Sequence, residues 1–136
     1  MFKRKIGNKF GAKKTIIDEI KFDSKVESKY YLHLKEIESQ GQIHSLYCQP
    51  TFTLMEGFRR NGVKIRDILY KADFKYVTNE GYIVVCDVKG GDSTPEFKLK
   101  AKLLLKLIAE GKIDDFLFQE VRWKAKSWEV IERWFG

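Results

Sequence analysis

Cysteine, histidine, proline and methionine occur only twice each in these 136 residues, and no apolar run approaches the length of a membrane span. Each scarcity excludes something. Cys48 and Cys86 form no C-x-x-C arrangement, so neither a disulfide framework nor a structural zinc is expected. Both read as reduced packing residues, with Cys86 alternating with Val84 and Val88 on the buried face of a strand. His33 and His44 lack a spaced ligand set, and His33 reads as an ordinary helix residue. A bilayer-crossing helix needs roughly 18 or more apolar residues, and no stretch reads as a signal peptide; a cytoplasmic protein is expected. No G-x-S-x-G elbow is present, and Gly90-Gly91-Asp92-Ser93-Thr94 lacks the lysine of a phosphate-binding P-loop, so no nucleotide cofactor is expected.

Negative charge is also in short supply. Lys and Arg number 26 against 19 Asp and Glu, a net charge of +7, which favours a polyanionic partner and fast electrostatic association. The excess is concentrated at the start, where Lys3, Arg4, Lys5, Lys9, Lys13 and Lys14 precede any acidic residue. Residues 1–14 read as a basic arm, either a solvated tail or a segment held on phosphates when bound. The arm has no apolar helical face to insert into a membrane. The length suits one domain over residues 1–136, without linker or repeat.

The acids that are present are placed suggestively. Asp73 and Asp87-Val88-Lys89 fall on two predicted strands joined by the turn Asn79-Glu80-Gly81, a register that sets Asp73 opposite Asp87. Opposed residues have Cβ atoms about 5 Å apart, and two carboxylates at that distance repel by about 3 kcal/mol at an effective dielectric near 20. A divalent cation would offset this, since magnesium and calcium prefer hard oxygen ligands; Lys89 points to the same face as Asp87. The alternative is an exposed charge ladder in which Lys71, Lys75 and Lys89 neutralise the aspartates.

A third acid lies on a predicted amphipathic helix from about Ser24 to Gln40, where Val26, Tyr30, Leu34 and Ile37 recur at helical spacing. Ser24-x-x-Glu27 has the form of a capping box, which by itself accounts for a glutamate there. Alternatively Glu27 reaches a cation from the side opposite Asp73 and Asp87.

This ordered set of helical Glu27, the strand aspartate of Tyr70-Lys71-Ala72-Asp73-Phe74 and Asp87-Val88-Lys89 resembles the PD-(D/E)XK nuclease superfamily. With Lys9 to Thr15, Phe22-Asp23-Ser24, Leu46 to Pro50, Gly90 and Phe97 to Lys100, it resembles more narrowly the small phage and prophage Holliday-junction-resolvase-like endonucleases, over roughly residues 7–122. The superfamily's proline before the first aspartate is Ala72 here, a position that carries no ligand. The resemblance implies an α/β (α+β) restriction-endonuclease-like core, a mixed central β-sheet flanked by helices. It implies a homodimer acting on branched DNA in a bacterial host, with one or two Mg²⁺ ions per site that Mn²⁺ can replace. The ligands would be Glu27, Asp73, Asp87 and the main-chain carbonyl of Val88, with Lys89 serving the nucleophile.

Further strands are predicted near Ile43 to Tyr47, Thr51 to Glu56, Lys64 to Val77, Tyr82 to Lys89 and Phe116 to Val121, with a tight hairpin at Asn61-Gly62. Pro95 opens a helix from about Glu96 to Glu110 that Gly111 ends. Lys98, Lys102 and Lys106 form a stripe on it, either solvated or on phosphates, and Lys98 and Lys100 are expected nearest the site. Gln49 is a possible supporting residue, orienting a ligand or the nucleophilic water, or simply the polar neighbour of a strand-edge proline. Residues 123–136 read as a Trp-rich end containing a short helix from Ser127 to Phe135, with Trp128, Ile131 and Trp134 on one side for packing, dimerisation or base stacking.

Three functional classes follow: a junction-resolving Mg²⁺-dependent endonuclease, a nuclease of the same fold acting on flaps or duplex, and a non-catalytic DNA-binding protein.

Overall fold

The computed structural model describes residues 14–132; Lys3, Arg4, Lys5, Lys9 and Lys13 of the expected arm, and Trp134 and Phe135, lie outside them. In chain order the elements are β1 (Thr15–Ile17), β2 (Ile20–Phe22), α1 (Lys25–Ser39), β3 (Ile43–Cys48), β4 (Thr51–Met55), β5 (Phe58–Arg60), β6 (Val63–Ile65), β7 (Ile68–Lys71), β8 (Phe74–Thr78), β9 (Ile83–Lys89), α2 (Pro95–Ala109), β10 (Leu117–Lys124) and β11 (Ser127–Glu132). Among the described residues no helix is long and apolar enough to cross a membrane.

Both helices begin and end where side-chain chemistry directs. The Ser24 hydroxyl accepts the Glu27 N–H at 3.2 Å, and the Thr94 hydroxyl accepts the Phe97 N–H at 3.1 Å. Gly41 and Gly111, just past the two helices, take left-handed φ values of 77° and 72°, which end a helix without Cβ strain.

The fold is mixed α+β, centred on a five-stranded mixed sheet of order β11-β10-β9-β8-β3. Only β9 and β10 run parallel, joined through α2, since a parallel pair requires a long crossover. Central strand β9 is buried from Val84 to Val88, as expected of a strand covered on both faces. On one face α1 packs Tyr30, Tyr31 and Leu34 against Phe74, Tyr76, Val84, Cys86 and Val88. On the other, α2 and the β4–β7 pair pack Leu54, Tyr70, Ala72, Phe97, Ala101 and Leu104 against Val85 and Phe118. Cys48 and Cys86 are free thiols, and burial pushes the Cys86 thiol well up, so it is an inert packing group.

Two expectations need correction, and one element was not expected. The predicted strand from Lys64 to Val77 is three strands, β6, β7 and β8. Its middle part pairs with β4 in a separate ribbon, whereas its end pairs with β3 and β9, so the chain changes sheets at Ala72 and Asp73. The expected terminal helix is instead strand β11, paired antiparallel to β10 through a turn at Ala125 and Lys126 with positive φ at both. The spacing of Trp128 and Ile131 fits a helix, but a strand lets Trp128 oppose Trp123, with ring centroids 4.8 Å apart, and contact Tyr30 at 4.7 Å. Cross-strand aromatic pairing overrides the local spacing. The chain directly after the basic arm forms the unforeseen β1–β2 hairpin, turned by Asp18 and Glu19 at φ 52° and 66°. No glycine announces that turn.

Candidate active site

The break between β7 and β8 builds the site. Continuing the β8–β9 register, in which Phe74 opposes Cys86, brings Asp73 level with Asp87 as the hairpin predicts. Asp73 is nevertheless outside the strand: its N–H donates to the Cys86 carbonyl at 3.0 Å, and its own carbonyl accepts the Gln49 N–H at 2.8 Å. This kink swings the Asp73 carboxyl along β9, where Oδ2 accepts the Val88 N–H at 2.7 Å. Glu27, on the first turn of α1, reaches the same place and hydrogen-bonds Asp73. The capping box is therefore half used: Ser24 caps the helix, while the glutamate turns to the sheet.

Asp87 is 8% exposed and held from two sides. The Tyr70 hydroxyl donates to Oδ2 at 2.5 Å, and the Lys89 ammonium lies 2.8 Å from Oδ1. Lys89 also sits 3.3 Å above the Phe97 ring centroid, a cation–π contact that fixes its direction. Of the lysines proposed as neutralising partners, Lys89 pairs with Asp87, Lys71 lines the same cleft, and Lys75 lines other cavities.

The electrostatics follow from this crowding. Burial, then the charges of Asp87 and Glu27, push the Asp73 carboxyl well above the usual carboxylate range, against the opposing Val88 N–H. Burial raises Glu27 as well, aided by Asp23 and Asp87 and opposed by its hydrogen bonds to Asp73 and Ser24. Two hydrogen-bonded carboxyls beside a third favour sharing a proton. Burial and then Asp87 raise the Tyr70 phenol, which stays a donor.

Asp87 and Lys89 open into a cleft of about 450 Å³ lined also by Thr51, Tyr70, Lys71, Thr94 and Lys100. Asp73 and Glu27 are not on its wall. A slightly larger cavity of about 490 Å³ near Tyr47, Phe52 and Val77 has Lys75 as its one charged lining residue and offers no acid. The chemistry favours the smaller cleft. Lys100 lines it while pairing with Glu96 at 3.1 Å, whereas Lys98 and Lys102 are exposed and off its wall. Lys14, the one expected arm residue within the described chain, is exposed beside β1. Gln49 supports the site through its main chain, since its side-chain amide donates to the Lys21 carbonyl at 2.8 Å.

Among the described residues, no three His, Cys, Asp or Glu side chains are arranged to hold a metal ion as they stand. In their present contacts Tyr70 and Lys89 engage Asp87, and the Val88 N–H and Glu27 engage Asp73. The donor set itself fits a hard divalent cation, being carboxyl oxygens crowded beyond what their ordinary charges tolerate.

Two groups here were not foreseen. The sequence marks Tyr70 only as part of a strand. Glu120 is fully buried on β10 directly beside Asp87 and accepts the Ser93 hydroxyl. Arg122 donates to the Gly91 carbonyl at 2.5 Å and to Ser93 at 3.3 Å, so these residues tie down the loop between Lys89 and α2. No sequence signal marks Glu120, because its neighbourhood depends on how the α2 crossover sets the parallel register.

Tyr70→Phe leaves Asp87 Oδ2 without its buried donor and is expected to cost about 1–2 kcal/mol. A lowered urea midpoint at constant m-value is the expected readout. An unchanged midpoint would mean that Lys89 alone restrains the carboxylate.

Curated proteins and solved structures show no match to this chain. The family described as "Protein of unknown function (DUF1064)" matches residues 7–130, and the chain belongs to it.

Proposed function

We propose that the protein is a metal-dependent, structure-specific DNA endonuclease that resolves four-way junctions as a homodimer in a bacterial host cell. The observation that carries this reading is the convergence of Glu27, Asp73 and Asp87, from three separate elements, with Lys89 paired to Asp87 at the mouth of a cleft. A binding module has no need of buried, mutually repelling acids. The element order also supports a restriction-endonuclease-like core: α1, three antiparallel strands β3, β8 and β9, then α2 and parallel β10.

Asp73, Asp87, the Val88 carbonyl and Glu27 would hold Mg²⁺ or Mn²⁺, as one ion or two. When bound, the cation polarises the phosphoryl oxygens and lowers the pKa of water. Lys89 then has the chain's own chemical task. Its ammonium, aimed across the Phe97 ring, orients the attacking water or meets the charge that develops on phosphate. Lys71 and Lys100 line the cleft as phosphate contacts, and Tyr70 fixes the Asp87 carboxylate for its role. Two sites related by a two-fold axis would deliver the paired cuts that a four-way junction requires.

The test is cleavage of a synthetic four-way junction, with flap and linear duplex controls, in Mg²⁺ and in EDTA. Symmetric nicks confined to Mg²⁺ and to the junction are expected. Preference for flap or duplex would reassign the substrate, and no cleavage of any of them would end the nuclease proposal.

A further inference from the structure

Away from the cleft, one feature combines exposure, charge of one sign and unfavourable internal pairing. Residues 57–66 carry Arg59, Arg60, Lys64 and Arg66 and no acid. They form the β5–β6 ribbon, exposed from Phe58 to Lys64. Asn61 and Gly62, at φ 50° and 79°, make the two-residue turn that suits strand twist. Arg59 lies directly opposite Lys64, and Arg60 opposite Val63. Alternation therefore gives one face to Arg59, Lys64 and Arg66, and the other to Phe58, Val63, Ile65 and Arg60.

The molecule offers this ribbon little support. An isolated two-stranded hairpin is marginal in water, and like charges directly opposed weaken it further. Among the described residues no ion pair engages any of the four cations. Phe58 and Val63 remain 51% and 60% exposed, and no residue of the ribbon belongs to either core cluster. Its base, by contrast, is tightly held. Asp67 accepts the Gly57 N–H at 2.6 Å, and a Cβ on Gly57 would meet the Ile65 carbonyl at 2.6 Å. From this base the β4–β7 pair continues to Thr51 and Lys71, both on the wall of the acid cleft.

We propose that the β5–β6 ribbon is an arm that lies in a groove of duplex DNA next to the cleft, with Arg59, Lys64 and Arg66 on backbone phosphates. Resting on the reading of the cleft as a DNA-cleaving site, this adds where the flanking duplex is gripped. Charge complementarity selects a polyanion, and a major groove admits a two-stranded ribbon. Strand rise limits the reach from Thr51 to the turn to about 33 Å, roughly one helical turn of DNA. The gripped duplex is thus within one turn of the scissile phosphate. Phe58 and Val63 face the groove floor or the sugars, which relieves their exposure.

The experiment measures binding of a labelled duplex of about three turns in EDTA, across about 50–200 mM salt. The variant Arg59→Ala/Lys64→Ala/Arg66→Ala is compared with Lys35→Ala/Lys112→Ala/Lys126→Asn, which removes equal charge from exposed positions elsewhere; Asn suits the positive φ of residue 126. Losing up to three phosphate contacts should flatten the slope of log K against log salt by about 2–3 and weaken binding near 0.1 M salt about 10²-fold. The control should change affinity less than about threefold. Arg59→Lys/Arg66→Lys should keep the slope, separating lost charge from a misfolded ribbon. Equal weakening by both charge-removal variants would overturn the proposal. So would ribbon-dependent binding to phosphatidylserine vesicles with duplex affinity unchanged, since the arm would then serve a membrane surface. Binding is scored without cleavage, so the two proposals fail separately. Ribbon-dependent binding by a protein that never cuts in Mg²⁺ sinks only the nuclease reading, and Mg²⁺-dependent cutting with an unchanged salt slope sinks only the ribbon.

Discussion

Lys89→Gln should lower Mg²⁺-dependent junction cleavage by about 10³-fold, the scale set by losing a positioned acid–base or electrostatic group. Binding measured in EDTA should change by no more than about fivefold, since one phosphate contact at most is lost near 0.1 M salt against several retained. Glutamine is the informative replacement. Lys89 and Asp87 form a largely desolvated pair, with side chains 15% and 11% exposed, and Lys89→Ala would leave Asp87 partly uncompensated. Breaking a buried pair from one side costs about 3–5 kcal/mol, so loss of activity in Lys89→Ala would be entangled with unfolding. An amide keeps a hydrogen bond to Asp87 Oδ1 while deleting the charge proposed to serve the nucleophile. Full cleavage by Lys89→Gln in single-turnover assays would remove Lys89 from the mechanism and leave it as a structural counter-charge.

Asp73→Asn should abolish cleavage to a similar degree while making the metal-free protein more stable, two effects of opposite sign from one residue. In the folded protein the Asp73 carboxyl lies well above its ordinary pKa because of burial and the neighbouring Asp87 and Glu27. A folded-state pKa raised above the unfolded value gives stability that is fully present below the unfolded pKa, near 3.9. That stability is lost as pH rises through the folded pKa. At neutral pH the wild-type protein therefore carries a penalty that an asparagine does not. The asparagine carbonyl can still accept the Val88 N–H, so the substitution should gain about 1 kcal/mol, or roughly 3–5 °C in Tm. The gain should shrink towards pH 4. Added Mg²⁺ should raise the Tm of wild type and leave Asp73→Asn nearly unmoved, as binding to the native state alone stabilises it. A variant less stable than wild type at neutral pH would mean that the acids are compensated in the fold and need no cation.

Such a trade is what a site kept for chemistry would produce: groups that destabilise the resting fold are retained where a reaction needs them. That cost is concentrated in the buried carboxyls of Asp73 and Glu27, and the rest of the molecule offsets it with apolar layers on both faces of β9.

The residue pattern alone determined the elements whose signals are local. The N-cap of α1 at Ser24, the turn at Asn61-Gly62, and the start and stop of α2 between Thr94 and Gly111 depend on a few neighbouring atoms, and each appears where its residues direct. Reading Asp73 level with Asp87 needed only a hairpin register, which a short turn fixes. Only the tertiary structure decided the rest. Partner choice across sheets split one apparent strand into β6, β7 and β8, and the resulting kink turned the Asp73 carboxyl towards Glu27. Pairing with β10 made a strand of residues whose spacing suits a helix. The α2 crossover set Glu120 beside Asp87, and packing against Tyr70 and Phe97 aimed Asp87 and Lys89. Caps and turns are settled by atoms a few residues apart, whereas sheet order and side-chain convergence are settled by contacts between distant segments, whose energies no local window contains.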